Sequence, residues 1–146
     1  MATLSQIAER IRKCTRCPLW KHRLQALPGE GQENAKYVII LESPDEIADR
    51  KGDLWETKEA KKLAAILKEK NIAKEDVFLT SLVKCSPCGS PVDTREIEEC
   101  HSYLQDQLHT VSSKKIYCVG ERSVPQNASV IQLSSVGQLQ SELEKK

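Results

Sequence analysis

No stretch of this sequence is apolar for long enough to cross a membrane, and its opening residues, MATLSQIAERIRKC, lack the apolar core and cleavage site of a secretory signal. Both absences predict a cytosolic chain, or a nuclear one in a host with a nucleus. An excess of charge is missing too. Twenty-two basic residues against 21 acidic ones leave a net charge of +1, so any nucleic-acid binding must come from local patches rather than from a whole-molecule field. Histidine occurs only three times, and no repeat, low-complexity tract or domain linker interrupts the 146 residues. Such a length fits one domain, residues 1–146, with core enough to stand without disulfides.

Cysteine is present six times, and in a reducing compartment close cysteine pairs read as ligands or redox groups. Cys14 and Cys17 form a C-x-x-C turn, while Cys85 and Cys100 lie far downstream as singles. Thiolates from one turn and two distant elements suit a soft metal or an iron–sulfur cluster, because all must reach one centre. However, Cys85-Ser86-Pro87-Cys88 is itself a C-x-x-C, so Cys14, Cys17, Cys85 and Cys88 make a zinc-type set of two pairs. Spacing leaves both sets open. Cys118, within an apolar run, reads as a buried small hydrophobe. Arg10, Arg12, Lys13, Arg16, Lys21 and Arg23 surround the first pair, with Trp20 and His22 among them. That patch reads either as a solvated face or as a nucleic-acid contact.

Thr3-Leu4-Ser5-Gln6 has capping-box form, and Leu4, Ile7, Ala8 and Ile11 follow at helical spacing, so a short helix delivers Cys14. Tyr37 to Leu41 is a continuous apolar run of the kind buried on both faces of a parallel sheet. Thr57 to Lys70 carries Ala60, Leu63, Ala64, Ile66 and Leu67 on one helical stripe that ends near Asn71. Val77 to Val83 reads as a second strand and Ser86 to Pro91 as a loop. Asp93-Thr94-Arg95-Glu96 repeats the capping-box form before a helix that carries Cys100. Ile116 to Val119 predicts a third strand ending at Gly120, Val130 to Leu133 a short fourth, and Ser135 to Gln138 the start of a last helix. Alternating strands and helices imply a three-layer α/β/α domain with a short, mostly parallel central sheet. Its ligand site should lie at the carboxyl ends of the strands, which points to the loops Glu42 to Gly52 and Lys84 to Pro91.

These blocks together resemble the iron–sulfur uracil-DNA glycosylases known as family 4. The N-terminal C-x-x-C with Pro18-Leu19, Arg23 and Pro28-Gly29-Glu30-Gly31 matches that family's opening. Ile39 to Asp45 resembles its I-G-E-A-P-G motif, with Gly52 and Trp55 where its G-x-P-F segment falls. Thr80 to Cys85 resembles T-N-x-V-K-C, and Cys100 to Leu104 its fourth-cysteine helix. The resemblance implies a uracil-DNA glycosylase-like fold facing DNA, a 4Fe–4S cluster on Cys14, Cys17, Cys85 and Cys100, and Cys88 outside it. It also gives Glu42 the place of the motif glutamate that positions water, and Trp55 the place of the aromatic that stacks on the base. Ser81 stands where the family's asparagine reads the uracil edge.

The departures are as specific as the matches. None of His22, His101 and His109 precedes a proline, and all lie upstream of where the family's H-P-S motif belongs; the corresponding stretch is Leu133-Ser134-Ser135-Val136. Ser81 offers one hydroxyl in place of an amide's paired donor and acceptor, and Asp45 replaces the glycine that closes the first motif. The chain also ends soon after its third strong strand, whereas the family continues. The expectation is a truncated, catalytically impaired member that binds nucleic acid or serves as a partner subunit. An active glycosylase working through Glu42, and a zinc-stabilised interaction domain, are the alternatives. Read without the family, Glu42 caps a strand end, Trp55 packs in a core, Lys84 is solvated or contacts phosphate, and Asp49 and Asp53 are solvated loop acids.

Overall fold

The computed structural model describes residues 3–14, 26–85, 92–111, 113, 115–124 and 129–144. Helix α1 spans Leu4–Arg12, and its capping box forms as the sequence predicts, with Thr3 and Gln6 exchanging backbone-to-side-chain hydrogen bonds of 3.0 and 3.2 Å. The strands are β1 (Tyr37–Leu41), β2 (Val77–Ser81), β3 (Lys115–Val119) and β4 (Val130–Leu133). Between β1 and β2 lie α2 (Glu46–Lys51) and α3 (Lys58–Glu69), with 3-10 turns at Leu54–Glu56 and Lys74–Asp76. Helix α4 (Thr94–Val111) joins β2 to β3, and α5 (Val136–Glu144) follows β4.

All described strand pairs are parallel, in the order β2-β1-β3-β4. The period-two alternation of β1 divides its side chains between two cores. Val38 and Ile40 face Ile7 and Ile11 of α1 and Leu104 and Leu108 of α4. Ile39 and Leu41 face Leu63 and Leu67 of α3 and Leu139 of α5. Burial on both faces is why the strand reads as an unbroken apolar run, and it makes the three layers. The chain leaves β1 toward β2 and leaves β2 back across β1 toward β3. Crossovers of one hand therefore need α3 and α4 on opposite faces, which is where they lie.

The caps are where the sequence places them. Asp93 Oδ1 accepts from Glu96 N at 2.8 Å while Asp93 N donates to Glu96 Oε1 at 3.0 Å, starting α4. Thr57 Oγ1 accepts from Ala60 N and donates to Leu54 O, both at 3.0 Å, with no exposed surface. Thr57→Ala should therefore cost about 1–2 kcal/mol, measurable as a lower urea midpoint with an unchanged slope.

The structure corrects three local readings. The stretch after Glu42 is not all loop: Asp45 caps α2, and Gly52, in the left-handed region at φ 72°, ends it. Asp49 lies in that helix at 6 % exposure rather than in a solvated loop. Lys84 is 1 % exposed, not solvated, because the chain after β2 turns inward instead of opening into a surface loop. The loop readings at 86–91, and Cys17, Cys88, Trp20 and His22, fall outside the described residues.

Candidate functional site

Because the connections leave β1 and β3 in opposite directions, a crevice opens between the carboxyl ends of these two strands. A cavity of about 990 Å³ occupies it, walled by the β1–α2 segment, the first turns of α3 and α5, and the end of β3. Glu42, the first residue past β1, lines it. Its Oε1 accepts from the backbone N–H of Glu121 at 2.6 Å and of Arg122 at 3.4 Å, so two donors beyond β3 hold the carboxylate across the crevice. Oε2 takes no hydrogen bond from the described residues. Gly120 makes this approach possible: its φ is 125°, and a Cβ built there would overlap the Glu42 side chain.

Opposite Glu42, Ser134, Ser135 and Gly137 line the cavity where β4 passes into α5, and Lys58 and Lys62 line it from α3. No histidine is among its lining residues. Asp45, which replaces the family's glycine, also borders it. Its carboxylate is fully engaged with backbone: Oδ1 accepts from Ala48 N at 2.9 Å and Oδ2 from Lys58 N at 3.1 Å. One side chain thus caps α2 and also accepts from the first N–H of α3.

Trp55 and Ser81 are held outside this cavity. Trp55 is 8 % exposed in the α3 core, with Asp53 Oδ1 accepting from its backbone N–H at 2.9 Å and Lys74 Nζ 4.5 Å from its ring centroid. Ser81 has no exposed surface and donates its hydroxyl to Val83 O at 2.7 Å. Nearby, Glu30 pairs with Leu79 against β2, and its carboxyl is raised above the usual range by burial, then by the Asp53 charge and a hydrogen bond to Asp53.

A second polar centre lies under the end of β2, in the α1–α4 core. Cys85 and Cys100 are each 3 % exposed there, and Cys14, just past α1, packs half-buried against the same cluster. Lys84 Nζ donates to Thr80 Oγ1 at 2.8 Å and to Ser81 O at 2.5 Å. Burial lowers its pKa from 10.5 to about 7, while the Cys100 and Cys85 thiols pull it upward. Thr80 meets Oε1 of the buried Gln107 at 2.9 Å, and Gln107 Nε2 donates to Pro28 O at 2.6 Å.

Among the described residues no three potential ligands form a metal-holding group, and Cys17 and Cys88 lie outside that set. What is described nevertheless fits a thiolate centre in its chemistry. Two buried soft donors sit beside a cation, and His101 Nδ1, next to Cys100, is buried without a hydrogen-bond partner among the described residues. Cys118 is different: fully buried in β3, its thiol is pushed up to about 12 by burial and then by Glu42, and Sγ donates to Arg122 O at 3.5 Å.

The sequence marks Gly120 only as a strand end and gives no sign that Glu121 and Arg122 hold Glu42. The sequence reading chose the loops after the first and second strands, whereas the strand order puts the crevice after the first and third. Gly120 at the end of an apolar strand was the available signal.

Comparison with known proteins agrees with this geometry. Residues 28–140 match the family model for the uracil DNA glycosylase superfamily, and the chain belongs to that superfamily. It is 37 % identical over 125 residues to a type-4 uracil-DNA glycosylase of Saccharolobus solfataricus, covering 84 % of this chain and 58 % of that protein. It is 33 % identical over 121 residues to one from Archaeoglobus fulgidus, covering 82 % and 61 %. Against one from Thermotoga maritima the identity is 31 % over 115 residues, covering 78 % and 60 %. The chain spans about three fifths of the length of these relatives.

Proposed function

We propose that this chain is a uracil-DNA glycosylase-like protein of DNA repair that takes a flipped base into the cavity beside Glu42 and cleaves it slowly or not at all. The observation that carries this reading is the Glu42 carboxylate, fixed by Glu121 N–H and Arg122 N–H in a cavity at the switch point of the sheet. Breaking an N-glycosidic bond leaves positive charge on the sugar and negative charge on the departing base. A carboxylate held by backbone donors can stabilise the first and orient water through its second oxygen. The second needs a strong donor aimed at the base; the donors that line the cavity are the hydroxyls of Ser43, Ser134 and Ser135 and the ammonium groups of Lys58 and Lys62, with no imidazole among the described lining residues. Loss of one preorganised donor costs on the order of 10²–10³ in rate. Ser81 compounds the loss, because its hydroxyl is committed to Val83 O and cannot read a base edge as an amide does.

The same reading puts a 4Fe–4S cluster on Cys14, Cys17, Cys85 and Cys100. Such a centre would staple the end of α1 to the chain after β2 and to α4; when bound, it supplies thiolate-ligated iron with a structural role. Zinc on these thiols is the alternative. Glu42 with one oxygen uncommitted is the observation that favours an active enzyme instead.

Excision from uracil-containing single- and double-stranded DNA tests the proposal. The wild-type chain should bind such DNA yet release uracil at least about a hundredfold more slowly than a histidine-bearing relative. Excision at the relative's rate, abolished in Glu42→Ala, would replace the impaired reading with the active one.

A further inference from the structure

The geometry points to a class of base that this cavity can release: a cationic purine, alkylated on a ring nitrogen, in DNA. The inference rests on the reading above, in which a flipped base enters beside Glu42, and it names the substrate class of that same site. Carboxylates outnumber ammonium groups along the cavity wall, with Glu42, Asp45, Glu46, Glu59 and Glu121 against Lys58 and Lys62. Both lysines are exposed on α3, so they screen this negative wall without reversing its sign. A negative wall raises the energy of a base that departs as an anion and lowers that of a base that arrives as a cation. Uracil is the first case. A guanine methylated at N7 or an adenine methylated at N3 is the second, because alkylation puts positive charge on the ring before any bond breaks.

The fixed carboxylate supplies what such a base still needs. When the glycosidic bond breaks, its electron pair stays on the ring nitrogen, the base leaves neutral, and the positive charge passes to the sugar as an oxocarbenium ion. Water then bonds to the anomeric carbon and gives up a proton, so the products are the neutral base, the sugar hydroxyl and one proton. No donor to the base takes part in that sequence. A carboxylate does: Glu42 Oε1 is held by Glu121 N–H at 2.6 Å and Arg122 N–H at 3.4 Å, and Oε2 takes no hydrogen bond from the described residues. A negative oxygen fixed beside a growing sugar cation stabilises the transition state more than the ground state. Leu41, Pro44, Ile47, Val119 and Val136 supply apolar lining, and about 990 Å³ leaves room for a two-ring base. Ser81 lies outside the cavity with its hydroxyl committed to Val83 O, so it reads no uracil edge. Charge, rather than an edge pattern, is what the described wall selects.

The test uses the full chain, purified anaerobically, with matched DNA duplexes that carry one N7-methylguanine, one uracil or ordinary bases alone. Wild type should release N7-methylguanine at least about a hundredfold faster than it is lost without protein, and at least about tenfold faster than uracil. Glu42→Gln, which keeps an acceptor for Glu121 N–H and removes the charge, should lose most of that release. Glu46→Gln combined with Glu59→Gln, both at exposed positions, should lower it several-fold at an unchanged urea midpoint. Release no faster than without protein overturns the proposal and leaves the reading it rests on standing. Uracil released as fast as N7-methylguanine also overturns it and, at the relative's rate, overturns the impaired reading as well. Binding of neither modified duplex more tightly than ordinary DNA overturns both. If Glu42→Gln does not fold, the exposed pair decides: a several-fold drop supports selection by charge, and an unchanged rate refutes it.

Discussion

Gly120→Ala is expected to lower stability by about 3 kcal/mol, which for a chain of this size is a fall of roughly 6–12 °C in melting temperature. Two costs combine. The backbone φ of 125° is one that L side chains avoid, and the added methyl overlaps the Glu42 carboxylate. If the carboxylate yields, it abandons the N–H groups of Glu121 and Arg122 and the cavity loses its fixed acceptor. A double-mutant cycle with Glu42→Ala separates the two, since truncating Glu42 removes the overlap but not the dihedral cost. The pair should be less destabilised than the sum of the single changes by more than about 0.5 kcal/mol. Simple additivity in denaturant unfolding would mean that the two residues do not press on each other.

The second large effect concerns Cys100. Removing a buried thiol from an ordinary core costs about 1–2 kcal/mol, whereas removing a ligand of the proposed centre puts at stake a binding energy that for whole structural zinc sites is about 10 kcal/mol or more. If the proposed cluster is bound, Cys100→Ala should release iron, abolish the cluster's colour and leave a chain that does not fold cooperatively at 25 °C. Cys88→Ala should leave iron content unchanged, because the proposed centre takes Cys100 in its place. Iron retained in Cys100→Ala and lost in Cys88→Ala would transfer the fourth ligand to Cys88.

Much of this fold is legible locally. The Asp93–Glu96 and Thr3–Gln6 boxes, the β1 run and the α3 stripe each announce an element within a few residues, because caps and periodicity are short-range devices. Helix α2 escapes the same reading: six residues are too few for a periodic stripe, and its evidence lies in Asp45 and Gly52 at its two ends. Lys84 escapes it for a different reason. A lysine is assigned to solvent by its type, and only the tertiary meeting of β2, α4 and the Pro28 segment provides partners that keep it inside. The crevice is the least local feature of all. It depends on which strand β3 joins, and parallel pairing between residues some eighty positions apart leaves no trace in either run alone. Family resemblance supplied Glu42, but not the backbone beyond Gly120 that holds it.

Asp45 carries a consequence of another kind. Its two carboxylate oxygens tie the N-terminus of α2 to that of α3, so the residue that departs from the family's glycine has become a strut between the helices that wall the cavity. A glycine there would remove the cap of α2 and, in the same step, the acceptor for the first N–H of α3. Asp45→Gly would therefore act at two places at once, and a second substitution that restores only one of these acceptors would recover only part of the loss.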